Sequence, residues 1–157
     1  MRVLCAIGQR GGPELIRRVA ALVGAQAECL LLHVIDVGPR HELEEYLRGP
    51  LHRRPHQEPA RAESITASEE SAGQTIIQEA LAAAQQAGLT AASLVSRGQP
   101  EQIIVQVAGE KAVDLVVIRA REGAAGHPRL GPASVGHIAR FVLDHAPCDV
   151  LLLREEI

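Results

Sequence analysis

Residues 114–154 read DLVVIRAREGAAGHPRLGPASVGHIARFVLDHAPCDVLLLR, an apolar strand followed by a glycine-rich loop, a helix and a second apolar strand. Asp114 to Ile118 is a short β-branched run of the kind buried on both faces of a parallel sheet. Glycines at 123, 126, 131 and 136 then free the backbone to turn, and a helix is predicted from about Ala133 to Asp144. A helix that starts after such a loop presents unpaired N–H groups and the positive end of its dipole, which together favour an anion such as a phosphate. Glycines also serve ordinary turns, so this segment raises the question of nucleotide binding without answering it.

Upstream, strand and helix signals alternate. Val3 to Ile7 forms an apolar run closed by Gly8. Pro13 then opens a helical pattern with Leu15, Ile16, Val19, Ala20 and Val23 on one face, and Gly24 ends it. Cys29 to Ile35 gives a second buried strand that leaves the core at Asp36. Residues 40–63 break the alternation, because GPLHRRPHQEPARAE is rich in Pro, His and charge and poor in apolar anchors. A flexible surface insertion is expected there. A long helix is predicted from Ser64 to Gly88, with Ile65, Ile76, Ile77, Ala80, Leu81 and Ala84 inward. A short strand at Ala92 to Val95, a helix opened by Pro100, a strand at Leu115 to Ile118, the last helix and a strand at Val150 to Leu153 complete the pattern.

Five apolar strands separated by helices predict a single α/β domain over residues 1–157. Its expected core is a five-stranded doubly wound parallel sheet with helices on both faces and right-handed crossovers. With strand order 3-2-1-4-5, the order reverses between the first and fourth strands, and a ligand crevice is expected past their carboxyl ends. Gly8 to Gly12 and Arg119 to Gly136 would then face each other, with Val34 to Asp36 along the side.

Composition narrows the class. The chain has 157 residues, no Trp, one Phe and one Tyr, so aliphatic side chains must do the packing. A net charge of −3 and scattered basic residues give no footprint for nucleic acid. The N-terminal apolar run is too short for a signal peptide and no stretch approaches membrane-spanning length, so a cytoplasmic protein without a membrane partner is expected. Cys5, Cys29 and Cys148 lie in or beside strand patterns without metal-ligand spacing and read as buried reduced thiols, with no metal implied. The irregular cluster His41, His52 and His56 with Arg53 and Arg54 reads as a solvated loop. No Ser stands in a nucleophile elbow and no pair of carboxylates is placed for acid–base work, so no catalytic residue is assigned.

LLLHVID at 30–36, SRGQPEQIIVQVA at 96–108, DLVVI at 114–118 and above all SVGHIARFVLDHAPCDVLLLR at 134–154 resemble the universal stress protein family, over the whole chain except roughly residues 40–63. The resemblance implies a five-stranded doubly wound fold and a homodimer formed through the last strand, here Val150, Leu151, Leu152 and Leu153. It also implies a stress-response regulatory role in which one subgroup binds ATP through G-x2-G-x9-G followed by Ser or Thr. Gly123, Gly126 and Gly136 keep that spacing, while His137 stands in the hydroxyl position. Val34 would offer its backbone to an adenine base. The family's ATP binders carry Asp at the end of the first strand, where this chain has Gly8. Counting from the fourth strand puts Arg119 where the first glycine belongs, so the loop is about four residues longer than usual.

Two readings of that loop stand side by side. In one, Arg119, Arg121 or Arg129 forks onto phosphate while His137 donates in place of a hydroxyl. In the other, Arg119 fills space and pairs with a carboxylate such as Glu122. The expected function is a regulatory protein binding ATP, ADP or AMP between the first and fourth strands, with hydrolysis weak or absent. The alternatives are a dimeric member without nucleotide acting through an unknown protein partner, and an adenine-nucleotide-using enzyme on the same fold.

Overall fold

The computed structural model describes residues 1–24, 26–38, 59–120 and 135–154. In chain order the elements are β1 (Arg2–Ala6), α1 (Gly12–Val23), β2 (Glu28–Asp36), α2 (Pro59–Gln86), β3 (Thr90–Gly98), α3 (Pro100–Glu110), β4 (Leu115–Arg119), α4 (His137–His145) and β5 (Asp149–Leu153). All strand pairings are parallel and the order is β3-β2-β1-β4-β5, as the alternation of apolar runs implies.

Strand alternation sorts the core into two layers. Val3, Cys5, Cys29 and Leu31 point one way, onto Leu15, Ile16 and Val19 of α1 and Ile77, Ala80 and Ala84 of α2. Leu4, Leu32, Val116 and Ile118 point the other way, onto Ile104 and Val107 of α3 and Ala139 and Val142 of α4. The small side chains of α2 permit close packing. A side chain at Gly73 would press on His33, and one at Gly12 would crowd Ile7 and meet Ala80.

Several boundaries differ from the sequence reading. α2 begins at Pro59, so the expected insertion loses its last five residues to the helix. Ile65 is exposed rather than part of the buried stripe, because α2 starts beyond the edge of the sheet's core. β3 runs nine residues, Thr90–Gly98, in unbroken register with β2 from Glu28↔Thr90 to Asp36↔Gly98. Pairing sustains a strand that its Ala and Ser content understates. α4 begins at His137, not Ala133, since Gly136 takes a left-sided backbone with φ 89° at its N-cap.

The register makes a step in the carboxyl rim of the sheet. β1 ends at Ala6, opposite Leu32, with Ile7 N–H still donating to Leu32 C=O at 2.8 Å. β2 and β3 run on to Asp36 and Gly98, so the middle of the sheet is lower than its β3 side. That step is the site's foundation.

Candidate functional site

A cavity of about 760 Å³ sits over the step, on the α3/α4 face. Ala6, Leu32, Val34 and Ile118 floor it, and Ile104 and Ala139 close it from above. Gly8, Gln9 and Arg10 of the β1–α1 loop form its rim, facing Arg119, Gly136 and His137 across the point where strand order reverses. Of the residues expected from sequence, Gly8, Val34, Arg119, Gly136 and His137 therefore meet in one place. Gly123 and Gly126 lie outside the described residues, as do Arg121, Glu122 and Arg129.

Val34 lies within β2, two residues before its end. Its position has a chemical consequence. In a strand, the N–H and C=O of one residue point to the same edge and alternate with those of the next. Leu32 directs its carbonyl to β1, where Ile7 donates to it. Val34 has the same parity, so its N–H and C=O also face the β1 side, where β1 has already ended at Ala6. A donor and an acceptor stand side by side on the cavity wall.

His33, the neighbour with opposite parity, turns its ring under the other face. It is the one buried polar side chain among the described residues, 5% exposed, with Nδ1 2.8 Å from Ile7 O. A carbonyl accepts, so Nδ1 carries the proton and donates. This bond pins the end of β1 just before Gly8. Gly8 has no left-handed backbone, and a Cβ there would meet nothing nearer than Arg10 O at 4.0 Å. The position is open to a side chain that the sequence does not provide.

Arg119 leaves β4 and crosses to the first loop, with Nη1 3.4 Å from Arg10 O. Its guanidinium occupies the space that a side chain on Gly11 would fill: a Cβ there would fall 1.7 Å from Nη1. Gly11 also holds a left-handed φ of 69° as the N-cap of α1. The Glu14 carboxyl in the first turn of α1 is held below the usual carboxylate range, chiefly by its hydrogen bond from Arg17, with Arg18 and Arg119 adding attraction. His137, largely exposed in the first turn of α4, places Nε2 4.0 Å from Oε2 of the largely covered Glu101 in the first turn of α3. This contact becomes an ion pair when the imidazole is protonated.

The thiols stand apart from the cavity. Cys5 and Cys29 are buried on the α1/α2 face, and the Cys5 thiol is pushed well up by its contact with Cys29 and by burial. The same contact draws the Cys29 thiol down. Among the described residues no group of three or more His, Cys, Asp and Glu is placed to hold a metal. None of their helices is long and apolar enough to cross a membrane.

Sequence reasoning missed three parts of this site: the Arg119–Gly11 contact, the His33–Ile7 bond and Glu101. The first joins residues 108 positions apart, which no local pattern reports.

The model of the universal stress protein family matches residues 1–154. Comparison with curated proteins gives no match. Among solved structures, universal stress protein UspA from Lactobacillus plantarum is 22% identical with a TM-score of 0.66, covering 98% of this chain and 97% of its own. A universal stress protein family protein from Arabidopsis thaliana, solved with AMP bound, is 15% identical with a TM-score of 0.64, covering 99% and 92%. A universal stress protein in complex with cAMP is 16% identical with a TM-score of 0.60, covering 98% and 95%. At these identities the likeness speaks for the fold.

Proposed function

The chain belongs to the universal stress protein family, and on that premise we propose that it is a regulatory protein binding an adenine nucleotide in the crevice between β1 and β4. The observation that carries this reading is the open backbone edge of Val34 over an apolar floor. A flat base with adjacent donor and acceptor atoms matches such an edge, with Val34 N–H donating to a ring nitrogen and Val34 C=O accepting from an amino group. Leu32, Ile104 and Ile118 supply the apolar surface that a base needs on its faces. The phosphate end then lies toward Arg119 and the amino end of α4, where Gly136 lets a ligand approach the backbone closely. AMP and cAMP are bound by two proteins of like fold, which favours the same ligand class.

Among the described lining residues none is placed as a nucleophile or a general base, and the proposed role is binding rather than turnover. The role is one of sensing within a stress response. The three cysteines are unpaired, which suits the reducing cytoplasm.

The test is mass spectrometry of nucleotide released from freshly purified, denatured protein, followed by calorimetry with ATP, ADP and AMP. Saturable binding by at least one is expected. Failure of all three at millimolar concentration overturns the reading in favour of a family member acting through protein contacts.

A second copy of the chain is the proposed partner. β5 is an outer strand whose Val150, Leu151 and Leu152 are only half-buried, and an apolar edge of this kind calls for pairing. Leu153 contributes backbone only, because its side chain is buried in its own core. A monomer by sedimentation at micromolar concentration refutes the dimer.

A further inference from the structure

The cavity is electrically lopsided. Arg119 and His137 line its β4 and α4 side, and Arg10 its rim, while Asp36 is the sole carboxylate among the described lining residues and stands at the opposite end, on β2. Glu101, which approaches His137, is outside the lining. A nucleotide is lopsided in the matching sense, with an anionic phosphate end and a nucleoside end rich in N–H and O–H donors. Gly8 leaves the end of β1 without a polar side chain, so beyond the Val34 carbonyl a charged acceptor for the nucleoside's remaining donors must come from elsewhere.

We propose that Asp36 is that acceptor: it takes a hydrogen bond from a donor group of the nucleoside and fixes which way round the nucleotide lies. The inference rests on the nucleotide reading above. Asp36 shares the parity of Leu32 and Val34, so its side chain leaves the strand on the cavity face, next along β2 from the edge offered to the base. Its carboxylate is oriented before any ligand arrives, because Oδ1 accepts from Gly38 N–H at 2.8 Å. Oδ2 has no partner among the described residues. The arrangement also works by repulsion, since a phosphate turned toward β2 would meet a fixed negative charge. The same position, an acid at the end of the second strand of a doubly wound sheet, serves ribose hydroxyls in dinucleotide-binding folds.

The donor is either the exocyclic amine of the base or the ribose hydroxyls, and the experiment separates them. Calorimetry compares the native protein with Asp36→Asn, which keeps an oxygen for Gly38 N–H, using AMP, IMP and 2′,3′-dideoxyadenosine monophosphate. Asp36→Asn is expected to weaken AMP about tenfold or more, the effect of losing a charged acceptor. That penalty vanishes with IMP if the amine is the donor, and with the dideoxy compound if the hydroxyls are. Thermal melting of the variant should match the native protein. Equal AMP affinity in the two proteins, or the same penalty for all three ligands, overturns the role of Asp36 while leaving nucleotide binding intact. Failure of the native protein to bind any of them overturns both.

Discussion

The two faces of the sheet are built from the same kind of strand residue yet differ in what they leave open. On one face α1 and α2 cover the strands up to the rim, where Ile7 and His33 complete the layer. α2 has 28 residues, about 42 Å of helix, enough to span the strands and continue past them. On the other face α3 and α4 have 11 and 9 residues, about 16 and 14 Å, and both begin beside the cavity. Their first turns therefore ring the opening with helix N-termini, while their later turns pack on Leu4 and Val116. Complete cover makes a stabilising face, and short cover makes a binding face.

Adjacent leucines offer the sharpest way to break that contrast. Leu31 and Leu32 are both buried, on opposite faces, and only Leu32 lines the cavity. Leu31→Ala and Leu32→Ala should each lower unfolding free energy by about 2–5 kcal/mol in urea titrations, the usual cost of a core methylene cavity. Only Leu32→Ala should also weaken nucleotide. An equal loss of affinity in Leu31→Ala would show that the faces are not separate in function.

His33→Leu comes next. It keeps bulk under α2 but removes the donor to Ile7 C=O, and an unsatisfied buried carbonyl costs about 1–3 kcal/mol. Because that bond holds the end of β1, hydrogen exchange should quicken at Ile7 and Gly8. Unchanged exchange there would mean that His33 serves packing alone. Gly11→Ala should cost about 1–2 kcal/mol, since an L-residue resists the left-handed backbone. It also evicts the Arg119 guanidinium. If Arg119 serves phosphate, AMP should weaken in this variant while adenosine does not.

These variants also mark where sequence reading succeeds and stops. Buried apolar runs such as VLCAI, LLLHVI and DLVVI specify parallel strands because both faces must be covered, and their order follows from right-handed crossovers. The rim residues were legible as glycines and an arginine at the switch point. What Arg119 touches was not, for its partners Arg10 and Gly11 lie in another loop and the contact exists only once β1 and β4 pair. Gly73 shows the same limit. Inside a helix it looks like a weak point, and only the fold reveals that the ring of His33 occupies its space.

Gly8→Asp should have the smallest effect on stability and the most telling effect on function. The position has a right-sided backbone and room for a side chain, with Arg10 O at 4.0 Å the nearest atom to an added Cβ. A surface substitution of this kind usually shifts stability by about 0.5 kcal/mol or less. The new carboxylate would enter the cavity rim at the end of β1, beside the nucleoside end of the proposed ligand. Adenosine affinity should rise about tenfold, the return from one charge-assisted hydrogen bond. Combined with Asp36→Asn, the gain should offset the loss if the two carboxylates serve the same end of the ligand. A gain in adenosine binding that is instead abolished by Asp36→Asn would show that the two acids hold different groups. Weaker binding in Gly8→Asp alone would mean that the phosphate, not the nucleoside, lies at β1, reversing the orientation argued from the charge of the cavity.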